Sequence, residues 1–183
     1  MSNNVVDNKK NDDDDKKLFI FDLDDTLYNI NSHYEMITAN KQLIEKLIGD
    51  KIIFSNASYL HCLLYLKRME ILDIFKCIIS SDIINGGKKP NPFIYGNLTK
   101  LCNTKSYDDI YYFDDIIENL YIGHLFGWKT IWINNNHSIL TINYDYLKHF
   151  IPAEFLVEKD KMCNIDNWLY GKFHNINDAL KAL

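Results

Sequence analysis

The chain has 183 residues, a formal net charge of −5, 47% hydrophobic and 14% aromatic residues. That length suits one domain with a sizeable core. The acidic balance argues against a nucleic-acid surface, which carries a basic stripe, and no apolar stretch is long enough to span a bilayer.

Residues 1–16 are polar and carry the run Asp12-Asp13-Asp14-Asp15-Lys16. This segment reads as a disordered tail, not a signal peptide, ahead of a single domain over 17–183. Cys62, Cys77, Cys102 and Cys163 are scattered without metal-ligand spacing, as expected for reduced thiols of a cytoplasmic protein.

From Lys17 the chain alternates strand and helix. Short apolar runs predict strands at 18–22, 52–55, 77–80, 110–114 and 130–134. Ser32 and Glu35 have capping-box spacing, and Met36, Ile37, Leu43, Ile44, Leu47 and Ile48 form a stripe. They predict one crossover helix from Ser32 to Ile48, stopped by Gly49. A second helix is expected over 58–68 with Leu60, Leu63 and Leu64 inward. Asn91 and Pro92 start a third, over 92–103. Asp115 and Glu118 read as the capping box of a fourth. Glu154–Val157 is a candidate sixth, edge strand, and 177–183 a terminal helix. The aromatics Tyr144, Tyr146, Trp168, Tyr170 and Phe173 are expected to pack against the domain. The fold class is therefore α/β, a Rossmann-like parallel sheet of five or six strands with helices on both faces.

Three predicted strands end on polar residues: Asp22, Ser55 and Asp114. In open α/β sheets ligands bind beyond the carboxyl ends of the strands, so these side chains should meet at one edge. Asp22 and Asp24, spaced i and i+2, suit an attack on phosphorus by one carboxylate and proton transfer by the other. Paired acids need an offsetting cation. Asp114 and Asp115 offer hard oxygens for Mg²⁺, and Lys89, before Pro90, offers a charge from a loop. Ser55 and Asn56 can donate to phosphoryl oxygens.

The order of these elements resembles the haloacid dehalogenase superfamily of aspartate-nucleophile phosphatases, over about 17–134. The stretches FDLDDTLY, IFSNASYLHC, KKPNPFIY and YYFDDIIENLYIGHLFGWKTIWI are most similar to its pyrimidine 5′-nucleotidase-like branch. The resemblance implies that Asp22 is the nucleophile. It makes Asp24 the general acid/base, with its backbone carbonyl on the metal. Ser55 and Asn56 hold the phosphoryl group, Lys89 neutralises charge, and Asp114 binds Mg²⁺ with Asp115 in support. Lys88 is the substitute for Lys89. His61 has no mechanism in this reading and is expected on a helix surface or in the core.

Family members with a cap insert it after the first motif or between the third and fourth. Here each interval holds one predicted helix, so the core should be capless, with an open site. The expected partner is a small phosphorylated substrate such as a nucleoside monophosphate, with neither nucleic acid nor membrane. A second subunit or the aromatic C-terminal segment could serve as a lid. The alternatives are a capless phosphatase for a macromolecular substrate and a non-catalytic module that kept the fold.

Overall fold

The computed structural model describes residues 16–30, 36–85, 87–134, 142–151 and 159–183. The expected tail apart from Lys16, the Ser32–Glu35 capping box and the Glu154–Val157 strand lie outside them.

Six parallel strands form the sheet: β1 (Lys17–Phe21), β4 (Asp50–Phe54), β5 (Cys77–Ile79), β6 (Asp109–Asp114), β7 (Lys129–Ile133) and β8 (Gly171–Phe173), in the order β5-β4-β1-β6-β7-β8. The sixth strand is therefore Gly171–Phe173, pairing Trp132 with Lys172. Strand residues alternate between two cores. Leu18, Ile20, Ile52, Phe54, Tyr112 and Trp132 face one helix layer. Phe19, Phe21, Ile53, Tyr111, Phe113 and Ile133 face the other. Burial on both faces is why these runs are continuously apolar. The chain builds β4 and β5 on one side of β1 and then crosses to β6 on the other, leaving a crevice beyond the carboxyl end of β1.

The interval after β1 departs from the expected crossover helix. β2 (Tyr28–Ile30) and β3 (Met36–Thr38) form an antiparallel pair, and α1 is only Lys41–Lys46. Asn40, in the middle of the expected helix, is its cap, accepting from the Gln42 and Leu43 amides. Ala39 N donates to Leu27 O at 2.7 Å, closing the base of the hairpin. Met36 and Leu43 are seven residues apart, so a strand and a helix mimicked one continuous stripe. Gly49 does not end the helix, whose C-cap is Leu47. It sits at φ +145°, where an added Cβ would lie 2.5 Å from Lys17 O. Glycine is required there by close approach.

α2 (Tyr59–Arg68) begins at its Ser58 cap, but it buries Cys62 and Leu66. Leu60 and Leu64 are 74% and 63% exposed. Leucines occupy both faces of this helix, and the stripe that reaches the core is Cys62, Leu66 and Met69. α3 (Pro92–Leu101) starts on the Asn91 cap as expected. α4 (Ile117–Leu125) has Ile116 as N-cap with no side-chain cap. Glu118 instead accepts from the Asn143 amide at 2.8 Å, so the expected Asp115–Glu118 capping box is not formed.

The C-terminal segment carries α5 (Tyr144–Leu147), α6 (Lys159–Cys163) and α7 (Ile176–Ala182). Trp168 packs edge-on against Tyr121 and donates to Met162 O, while Tyr170 meets Tyr111 edge-on. Packing against the domain is thus realised for these rings, although Tyr146 and Tyr170 remain 44% and 54% exposed. Among the described residues no helix is long and apolar enough to cross a membrane.

Candidate active site

Asp22 follows β1 directly and its amide donates to Phe113 O at 2.9 Å. Ser55 follows β4, its amide donating to Ile79 O at 2.9 Å. Asp114 closes β6. The three strand ends therefore deliver these side chains to one edge, all buried.

Lys89 joins them from its loop. Its Nζ lies 2.7 Å from Asp22 Oδ1, 2.7 Å from Asp114 Oδ2 and 2.8 Å from Phe54 O. All three ammonium hydrogens thus have acceptors. Burial alone would lower Lys89, but Asp114 and Asp22 outweigh it and hold the group above its ordinary value. Asn56 keeps Lys89 in place: its Oδ1 accepts from Lys89 N at 2.7 Å, and its Nδ2 donates to Lys89 O at 3.1 Å. The side-chain amide of Asn56 thus makes both bonds of this clamp. Ser55 Oγ accepts from Ala57 N at 3.1 Å, orienting its hydroxyl. Lys88 is exposed and outside the cluster.

Asp114 and Asp115 differ sharply in their surroundings. Asp114 is fully buried. Its Oδ1 accepts from Ile116 N and Asn119 Nδ2, both at 2.9 Å, and its Oδ2 from Lys89 Nζ, from Tyr112 OH at 2.5 Å and from Asn119 Nδ2 at 3.1 Å. Asp115 is only partly buried. Its main-chain oxygen accepts from Trp132 Nε1 at 2.7 Å.

Carboxylate oxygens of Asp22, Asp114 and Asp115 lie within 4.8 Å of one another. Burial, partly offset by Lys89, pushes Asp22 up to about 7. Burial, then the charge of Asp114, pushes Asp115 up to about 8. Three carboxylates share one ammonium here, and the excess negative charge and hard oxygens fit a Mg²⁺ ion. Asp22, Asp114 and Asp115 are the carboxylates that could hold it, Asp114 being the one most engaged by other donors.

Asp24 points elsewhere. Its Oδ1 lies 2.5 Å from Tyr28 OH and 2.7 Å from His61 Nε2. His61 is therefore a site residue, not the helix-surface or core histidine expected. The sequence did place it one helical turn past Ser58, at the start of the helix that follows the Ser55 strand.

Four residues at the site went unassigned from sequence: Tyr28, His61, Tyr112 and Asn119. Tyr112 carried a signal, because it stands two residues before Asp114 on the same face of one strand. Asn119 carried a weaker one, a polar residue on the buried side of an apolar helix. Tyr28 and His61 meet Asp24 only through the tertiary fold.

No protein-family model and no curated protein matches the sequence. Solved structures do match. An uncharacterized protein from Listeria monocytogenes is 18% identical with a TM-score of 0.60, covering 91% of this chain and 96% of its own. A putative beta-phosphoglucomutase from Thermotoga maritima is 11% identical, also with a TM-score of 0.60, covering 91% of this chain and 99% of its own. The L-2-haloacid dehalogenase of Xanthobacter autotrophicus, with chloropropionic acid covalently bound, is 12% identical with a TM-score of 0.53. That match covers 77% of this chain but 58% of the dehalogenase, so this chain spans under two thirds of its length. Six parallel strands in this order, with these neighbours, give the chain a haloacid dehalogenase-like fold.

Proposed function

We propose that the protein is a Mg²⁺-dependent phosphomonoester hydrolase that works through an aspartyl-phosphate on Asp22. The observation that carries this reading is the buried ammonium of Lys89 held between Asp22 and Asp114 beside a third carboxylate. A site with this charge balance suits a metal-bound phosphoryl group.

Bound Mg²⁺ would supply charge neutralisation of the transferring phosphoryl oxygens, and Asp22, Asp114 and Asp115, with the Asp24 carbonyl, are the groups proposed to hold it. Lys89 offsets part of the burial that opposes ionised Asp22, the form a nucleophile needs. Asp114 acts as the post that fixes Lys89, held by Tyr112 and Asn119. The Ser55 hydroxyl and the backbone amide of Asn56 are the donors proposed to meet phosphoryl oxygens.

In the first step an Asp22 oxygen bonds to phosphorus as the ester P–O bond breaks, and the leaving oxygen takes the proton of Asp24. In the second, Asp24 takes a proton from water as that oxygen bonds to phosphorus. The Asp22–phosphorus bond then breaks and releases inorganic phosphate. The presence of Asp24 favours this over carbon–halogen cleavage, which needs no second carboxylate.

Hairpin, α1 and β4 take up the interval after Tyr28, which supports a capless site, as does the 41% exposure of the Asp24 side chain. An open site favours a larger phosphorylated group, or a lid from a second subunit, as much as a free nucleoside monophosphate. A Mg²⁺ assay on UMP, CMP, AMP, sugar phosphates and phosphopeptides tests the proposal. Phosphate release that vanishes in Asp22→Asn is expected. Release that persists in that variant refutes the assignment.

A further inference from the structure

Asp24 is gripped by two side chains that the motif order does not assign. Tyr28 OH and His61 Nε2 converge on the same atom, Asp24 Oδ1, at 2.5 and 2.7 Å, and stand 3.2 Å from each other. Both are braced by Tyr65. The Tyr28 ring stacks on it with centroids 4.4 Å apart and planes 10° apart, and the His61 ring lies 4.6 Å from it. The backbone adds a second tie, an isolated bridge between Asp24 and Tyr28. Asp24 is thus locked between the hairpin that starts at Tyr28 and the helix that carries His61.

Resting on the phosphatase reading above, we infer that Tyr28 and His61 are positioning residues that hold Asp24 by Oδ1 and reserve Oδ2 for the proton it transfers. With the ring proton on Nε2, both groups donate to Oδ1. An oxygen accepting two hydrogen bonds has no lone pair left for a proton of its own, so the acidic hydrogen sits on Oδ2. Two donors on one oxygen also fix the side-chain rotation, so the acid meets the leaving oxygen in one orientation. Neither residue touches the phosphoryl group. When the ester bond breaks, the electron pair goes to the leaving oxygen and the proton passes from Oδ2 to it. Asp24 is then a carboxylate still held by the same two donors, oriented to take a proton from the attacking water.

A purely structural tie between hairpin and helix predicts a loss independent of the substrate. Positioning of a general acid predicts a loss graded by how much the leaving group needs a proton. The experiment measures kcat and KM with Mg²⁺ on p-nitrophenyl phosphate and on glycerol 2-phosphate, for the intact chain, His61→Ala, His61→Gln, Tyr28→Phe and, as benchmark, Asp24→Ala. Nitrophenolate departs with little help, whereas an alkoxide does not. His61→Ala and Tyr28→Phe are expected to lose about tenfold more kcat on the alkyl ester than on the nitrophenyl ester, part of the about hundredfold or more that general acid catalysis supplies. KM should hold, and His61→Gln, which keeps a donor, should recover part of the loss. Equal losses on both esters, or none, while Asp24→Ala remains leaving-group selective, overturn the positioning role and leave the phosphatase reading standing. Hydrolysis of neither ester by the intact chain overturns both. Tyr28→Phe keeps the stack on Tyr65 and His61 lies partly exposed, so both variants should fold, as urea midpoints will report.

Discussion

Asp22→Asn should abolish turnover and yet make the fold more stable at alkaline pH. Asp22 is 7% exposed and raised from 3.8 to about 7 by burial against the pull of Lys89. A carboxyl raised on folding contributes most below its unfolded value, and that contribution is lost as pH rises through the folded value. For these two values the folded state binds the extra proton between about pH 4 and 7. At about 1.4 kcal/mol per pH unit, Asp22 costs the fold about 1 kcal/mol near pH 4.5, where folding takes up the proton, and about 4 kcal/mol near pH 8.5, where it stays ionised. Asparagine keeps an oxygen to accept from Lys89 and carries no charge, so it escapes that cost. Urea unfolding of both proteins in EDTA should show the Asp22→Asn midpoint higher by about 1–2 M near pH 8.5, given a slope of about 2 kcal/mol per molar urea, with a much smaller gap near pH 4.5. Mg²⁺ should narrow the gap by stabilising the ionised parent. A gain that is the same at both pH values, or a loss at the higher one, refutes the reasoning that burial opposes ionisation of Asp22.

Other perturbations probe the packing and the support of the site. Leu66→Ala should destabilise by about 2–5 kcal/mol, whereas exposed Leu64→Ala should stay within about 0.5 kcal/mol by urea unfolding. Similar values for the two would contradict the face assigned to α2. Asn119→Ala withdraws two hydrogen bonds from buried Asp114. It should cost about 1–3 kcal/mol and lower phosphate release, and an unaltered rate would show that Asp114 needs no such support. Gly123→Ala would put a methyl 2.7 Å from Tyr112 Cδ1 and 3.2 Å from Trp128 Cε3. Despite the better helix propensity of alanine it should destabilise by about 1–3 kcal/mol, and a higher melting temperature would refute that.

The sheet was legible because each of its strands but the last is a short apolar run, and the central ones are buried on both faces, which is a strong local pattern. Asp22, Ser55 and Asp114 were legible for the same reason, as each stands where such a run stops. The hairpin over Tyr28–Thr38 was not. Its strands are three residues each, too short for alternation to outweigh a helical spacing that ran on into α1. Its pairing also depends on contacts far along the chain, such as Asn177 Nδ2 with Thr38 O. Strand β8 failed similarly, since Gly171-Lys172-Phe173 has no strand-like composition and is ordered by β7. At the site, the residues missed act on other side chains. Tyr28 and His61 are 33 residues apart and meet only because both reach Asp24. The different surroundings of Asp114 and Asp115 were likewise invisible, because adjacent identical residues differ only in what packs around them. Fold alone does not assign chemistry, so the functional reading rests on these contacts.

In the proposed mechanism Asp22 becomes phosphorylated. The most direct measurement is mass spectrometry of acid-quenched protein after incubation with Mg²⁺ and acetyl phosphate, with peptides mapped. One phosphoryl group on the peptide containing Asp22, absent in Asp22→Asn and accumulating in Asp24→Ala, is the predicted result. A phosphoryl group on another residue, or none in Asp24→Ala, would contradict it.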